Sequence, residues 1–274
     1  MDAAIDALLN PFSYSFMLRA LIVSVLVGVM CPILGAYVVT RGLGFMGDAL
    51  AHAVLPGMVI AFMLGISPFL GAVPVGIAVA VLIGYLSRRM SMSEDTTIGI
   101  LFAGLFALGL VLMSVAKGLP VDIEDLLLGQ VLAVSSSDVF ATLGLAATVM
   151  VVLYAFHKEL VFNSFDPTGA KVIGLPTTAL DYLLLVMLAL VIIIALQAVG
   201  IVLVIAMLIT PSATAFLLVR RFPTAMGLGA LIGAGSAVVG LYASFYMNLP
   251  SGPAMTLVAT AVFIIVALAR RKVA

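Results

Sequence analysis

Nine stretches of apolar residues follow one another along the 274-residue chain, at 16–39, 46–65, 68–86, 98–116, 138–156, 181–198, 200–219, 224–246 and 252–269. A helix of about 20 residues, rising 1.5 Å per residue, crosses a hydrocarbon core about 30 Å thick. Inside that core every backbone N–H and C=O must be paired by the segment itself or by a closed ladder, so only helices and closed barrels span it. The windows show little alternation of period two, which selects helices. Composition agrees: 65% of residues are hydrophobic and 9% charged, against about 25% charged in soluble domains. The reading is an all-α integral membrane protein of the cell membrane, a polytopic bundle of eight or nine transmembrane helices. The ambiguity lies in 181–219, where only Gln197 and Gly200 interrupt the apolar run.

Charge placement favours nine. With nine spans drawn, Arg41, Arg88, Arg89, Lys158, Lys171, Arg220, Arg221, Arg270, Arg271 and Lys272 all fall on one side. The other side receives Asp2, Asp6, Asp122, Glu124 and Asp125, with Arg19 and Lys117 as exceptions. The positive-inside rule then places the C-terminus in the cytoplasm. Twelve basic residues balance twelve acidic ones, and no nucleic-acid partner is expected. The connections are short, so residues 1–274 read as a single transmembrane domain.

Two connections stand out. The first, 118–130, contains Asp122, Glu124 and Asp125 beside an apolar half suited to the membrane interface. The second, near 158–178, is expected to be cytoplasmic. In it Asp166 precedes Pro167, the pattern of an N-cap followed by proline at N1, and Gly174 reads as a helix stop. A short helix on the cytoplasmic face is the physical expectation, and it serves equally as a plain connector. Pro56, Pro74 and Pro211 lie inside apolar windows and are expected to kink them. The Pro56-Gly57 and Pro211-Ser212 segments bear a faint likeness of the kind internal repeats leave.

Against this apolar background Asp48 and His52 form a conspicuous pair. Residues four apart share one face of a helix. An ionisable side chain within a span is expensive to solvate and usually marks a pathway or a ligand site. Carboxylate and imidazole together form half a site for a divalent transition metal, and suit Mn(II), Fe(II) and Zn(II) alike. One chain supplies two such ligands, fewer than these ions prefer; a twofold dimer supplies four. The competing reading makes Asp48 a helix cap at the membrane edge with His52 packed behind it. His157 reads as a solvated residue at a membrane edge, Glu94-Asp95 as a solvated turn in a polar loop, and the lone Cys31 as a buried thiol. There is no Gly-x-x-x-x-Gly-Lys-Ser/Thr loop, His-Glu-x-x-His or Gly-x-Ser-x-Gly motif. No catalytic or cofactor-binding residue is expected, and the chain does not hydrolyse ATP itself.

The run Arg41-Gly42-Leu43-Gly44-Phe45-Met46-Gly47-Asp48-Ala49-Leu50-Ala51-His52-Ala53-Val54-Leu55-Pro56-Gly57 closely resembles the signature of the membrane permeases of manganese/zinc/iron ABC importers. Further matches are Leu128-Gly129 with Leu132–Ser135, Phe165-Asp166-Pro167 with Ala170 and Gly174, Val199–Val204, and Leu208–Ala215. Gln130 departs from the pattern, which has a small residue there. The resemblance implies a type II ABC importer-like permease, a metal-ion transport subunit that acts as a homodimer. It implies two cytoplasmic ATP-binding subunits and an extracytoplasmic metal-binding protein as partners, and Mn, Zn or Fe as transported ion rather than permanent cofactor. It also implies that Asp48 and His52 contact the metal and that Asp166, Ala170 and Gly174 lie in the segment docking on the ATPase. The alternatives are a siderophore or chelate-type permease, whose pattern lacks the Asp-x-x-x-His pair, and an ion-coupled secondary transporter.

Overall fold

The computed structural model describes residues 14–90, 92–116 and 136–271. Among them the chain is helical throughout, without strands. The helices are α1 (Ser15–Arg41), α2 (Met46–Ala53), α3 (Leu55–Met63), α4 (Pro68–Met90), α5 (Glu94–Val115) and α6 (Ser136–Ala155), followed by α7 (His157–Phe165), α8 (Pro167–Val172), α9 (Thr177–Val199), α10 (Ile201–Leu218), α11 (Phe222–Met247) and α12 (Ser251–Arg271). Every apolar window coincides with a helix or a broken helix. Among the described residues seven segments are long and apolar enough to cross a membrane, α2 and α3 counting as one. The α6–α7 pair, bent by 67°, makes an eighth if taken as one span, and Leu203–Leu218 is a shorter apolar helix. Gly200, at φ 81°, separates α9 from α10, which resolves the one ambiguous boundary. Segment 118–130 and the Leu128–Ser135 part of the motif lie outside the described residues.

The chain forms two compact units, Met1–Ala36 with Asp122–Ala146 and Ala195–Ala274, and Tyr37–Val121 with Ala147–Ile194. In the first, small residues let backbones meet. A Cβ on Gly28 of α1 would stand 2.8 Å from the Gly233 carbonyl oxygen of α11, and one on Gly233 would strike the Gly28 carbonyl in return. With no hydrophobic force between helices in lipid, such close van der Waals contact is what holds them. The Ser212 hydroxyl donates to the Pro32 carbonyl of α1 at 2.7 Å, and Asn248, in the left-handed region at φ 51°, closes α11.

The second unit repeats the device where α3 crosses α4. A Cβ on Gly57 would run into the Gly71 carbonyl and stand 2.6 Å from a Val75 methyl carbon. Proline acts differently at its several positions. Pro56 falls in the first turn of α3, just after the break from α2 at Val54. Pro32, Pro74 and Pro211 lie within continuous helices. The two segments expected to resemble each other thus differ, one broken before its proline and one unbroken through it.

Candidate metal path and coupling segment

The α1 helix ends at Arg41, and Gly42, at φ 72°, turns the chain back so that the Leu43 N–H reaches the Val38 carbonyl at 2.9 Å. Helix α2 then starts at Met46. Its N-cap is Phe45, which makes no side-chain capping bond, so Asp48 is not a cap. The Asp48 carboxylate sits in the first turn, where the amide dipoles favour negative charge. Six of the eight α2 residues (Met46, Gly47, Ala49, Leu50, Ala51 and Ala53) are buried. The two that stay open are Asp48 and His52, with side chains 30% and 19% exposed.

His52 Nδ1 lies 2.9 Å from the Asp48 carbonyl oxygen and 3.2 Å from its carboxylate Oδ1. A carbonyl only accepts, so Nδ1 carries the proton, and in the neutral ring Nε2 is then the nitrogen with the lone pair. Metal-binding histidines are held in this way, one ring nitrogen donating to an oxygen while the other ligates. Two phenylalanines of α5 fix the ring plane. Phe106 and Phe102 meet the imidazole edge to face, with centroids 5.2 and 5.5 Å away, and they stack on each other at 5.8 Å. Edge-to-face contact of this kind suits the ring quadrupoles. Among the described residues no three His, Cys, Asp or Glu side chains come together in a way that could hold an ion. Two ligands per copy is therefore what the described part of the chain offers.

The 166–174 segment forms as its sequence dictates. Asp166 Oδ1 accepts from the Gly169 N–H at 2.8 Å, Pro167 occupies the first turn of α8, and Gly174, at φ 84°, ends the segment. Ala170 is fully buried, and its carbonyl accepts from the Leu175 N–H at 3.0 Å. Around this polar turn three large apolar side chains stand out: Phe165, Val172 and Ile173, 59%, 80% and 66% exposed.

Beside it lies a knot of charge. Asp181 of α9 accepts on Oδ1 from Arg41 Nη1 and Asn163 Nδ2, both at 2.7 Å, and on Oδ2 from Arg88 Nη2. Arg41 Nε also donates to Ser164 Oγ at 3.0 Å, and Arg88 Nη1 to Thr178 Oγ1 at 2.8 Å. Glu94, at the start of α5, lies within the field of the same three charges. The cations that charge counting placed on one side, Arg41, Arg88 and those of the 158–178 connection, thus belong to elements whose ends meet.

A model of the ABC 3 transport family matches residues 13–270. The chain belongs to that family. Among its relatives is a manganese transport system membrane protein, MntC, of Halalkalibacterium halodurans, 46% identical over 92% of this chain and 86% of that one. Another is the chelated iron transport system membrane protein YfeD of Yersinia pestis, 41% identical over 98% and 90%. A solved structure, PsaBC from Streptococcus pneumoniae in complex with Fab, is similar at 37% identity with a TM-score of 0.83, over 97% of this chain and 95% of that one.

For this ABC 3 family chain, then, Asp48 and His52 come together in the structure, and Asp166, Ala170 and Gly174 lie together around α8. Two edge groups differ from their sequence reading. His157 is not simply solvated, since its Nδ1 pairs with the buried Tyr37 hydroxyl at 2.9 Å. Glu94 and Asp95 form the first turn of α5, capped by Ser93, whose hydroxyl accepts from the Thr96 N–H. Residue-by-residue reading passed over Phe102, Phe106, Asn163 and Asp181. The phenylalanines carry a signal in their four-residue spacing. Asp181 carries one as an acid opening an apolar window on the side richest in cations.

Proposed function

We propose that this chain is the transmembrane permease subunit of an ATP-driven importer of divalent transition-metal ions, Mn(II), Zn(II) or Fe(II). The observation that carries the reading is α2: on a helix otherwise buried, the open positions are a carboxylate and an imidazole whose Nδ1 is turned back to its own helix, leaving Nε2 as the nitrogen to ligate. Open polar groups within an apolar span belong to a path rather than to lipid. The names of the relatives, manganese and chelated iron transport proteins, support metal as cargo.

The metal passes a site made from Asp48 and His52 of two copies of the chain about a twofold axis. Four ligands complete what one copy leaves short. A site of that size binds an ion without trapping it, as a conduit requires. Residues 158–178 face the cytoplasm, with the C-terminus on the same side. Phe165, Val172 and Ile173, exposed on a polar connection where lipid does not reach, form an apolar docking surface for an ATP-binding subunit, positioned by Asp166, Ala170 and Gly174. Metal is delivered from outside by an extracytoplasmic binding protein. Residues 1–274 act as one permease domain.

The test is reconstitution with the ATP-hydrolysing partner in liposomes, followed by uptake of free Mn(II), free Zn(II) and chelated Fe(III). ATP-dependent uptake of the free divalent ion is expected. Preference for the chelate would move the chain to the chelate-type permeases, and uptake driven by an ion gradient without ATP would make it a secondary transporter.

A further inference from the structure

We propose that Asp181 is a positioning residue that passes movement of the coupling segment to the helix bearing Asp48 and His52; this rests on the reading of 166–174 as the ATPase contact. Segment 166–174 is gripped on both flanks. On its entry side Asn163 and Ser164 bond Asp181 and Arg41, and on its exit side Thr178 and Asp181 bond Arg88 and Arg41. One carboxylate therefore joins the ends of α1, α4, α7 and α9.

Each arginine leads toward the metal pair. Arg41 is the last residue of α1, and only residues 42–45 separate it from α2, with Leu43 tied back to Val38. Arg88 closes α4, whose Gly71 receives Gly57 of α3, the helix that continues α2. Apolar packing alone lets helix ends slide. A carboxylate shared by two guanidiniums and an amide resists sliding, because those bonds are directional and three of the four groups, Asp181, Arg41 and Asn163, are largely withdrawn from water, while Arg88 is 40% exposed. Asn163 is 1% exposed, and the Arg41 and Asp181 side chains are 11% and 18% exposed. A push on α8 thus reaches Asp181 through α7 and α9, and leaves it through α1 toward Asp48.

The experiment compares Asp181→Asn and the more exposed Arg88→Gln with wild type, each assembled with its ATP-hydrolysing partner in liposomes, measuring Mn(II) transported and ATP hydrolysed in the same vesicles. Both variants are expected to keep ATP hydrolysis and Mn(II) affinity near wild type while the ratio of Mn(II) to ATP falls about tenfold. A wild-type ratio in both variants would overturn the role of Asp181. So would transport and hydrolysis falling in proportion, which is the mark of plain structural support. Wild-type uptake that needs no ATP would instead overturn the importer reading itself, so the two failures are distinct.

Discussion

The Nδ1 atom of His52 stands 2.9 Å from the carbonyl oxygen of Asp48, one helical turn before it. This contact places a proton on Nδ1 and turns that side of the ring toward its own helix. The Asp48 carboxylate, 3.2 Å from the same nitrogen, lies on the same face. A sequence spacing of four thus becomes a carboxylate and an imidazole on one face, with one ring nitrogen already committed to orientation.

The aromatic pair behind His52 is expected to matter for affinity. Phe106→Ala removes an edge-to-face contact worth about 0.5–1.5 kcal/mol beyond simple burial, which corresponds to Mn(II) binding roughly twofold to thirteenfold weaker if it acts wholly on the ring's orientation. Titration of the purified complex with Mn(II) measures this. Phe106→Leu, which keeps volume but not the ring edge, is expected to lose nearly as much.

Close backbone contact between α3 and α4 makes a second expectation. Gly57→Ala drives a methyl group into the Gly71 carbonyl and Val75, and overpacking of this kind costs about 1–3 kcal/mol. Thermal unfolding of the detergent-solubilised protein should show a clear loss. Gly99→Ala is the control: nothing stands within 4 Å of a Cβ there. Alanine is the better helix former by roughly 1 kcal/mol, so its stability is expected to hold or rise.

The cap of α8 gives a third. Asp166→Ala leaves the Gly169 N–H without its acceptor and should weaken the local turn by about 1 kcal/mol. The expected result is weaker association with the ATP-binding subunit, seen by co-purification at limiting concentration. Asp166→Ser, which caps as well, is expected to restore it.

The bundle was legible in the sequence because lipid permits so few solutions: each apolar window had to become a helix, and each did. The Asp48–His52 pairing and the Asp166–Gly174 turn were equally legible as local geometry, set by four-residue spacing, a capping side chain and a glycine. Phe102 and Phe106 look like any lipid-facing residues until α5 is laid against α2. Asp181 gives up its meaning only when Arg41, 140 residues earlier in the chain, is brought to it. Periodicity reports which face of a helix is apolar, and it says nothing about which helices meet. The α6–α7 bend was missed for a related reason. Its break falls at Phe156, an apolar residue with no proline or glycine to announce it.

The central claim is that Asp48 and His52 touch the transported ion. It is tested most directly by ATP-driven Mn(II) uptake into liposomes holding the complex with Asp48→Ala or His52→Ala. Loss of one ligand type from both copies is expected to lower uptake by about 100-fold or more, while the ATP-binding subunit still co-purifies in wild-type amount. Uptake at the wild-type rate in either variant would contradict the account and place the metal path elsewhere in the bundle.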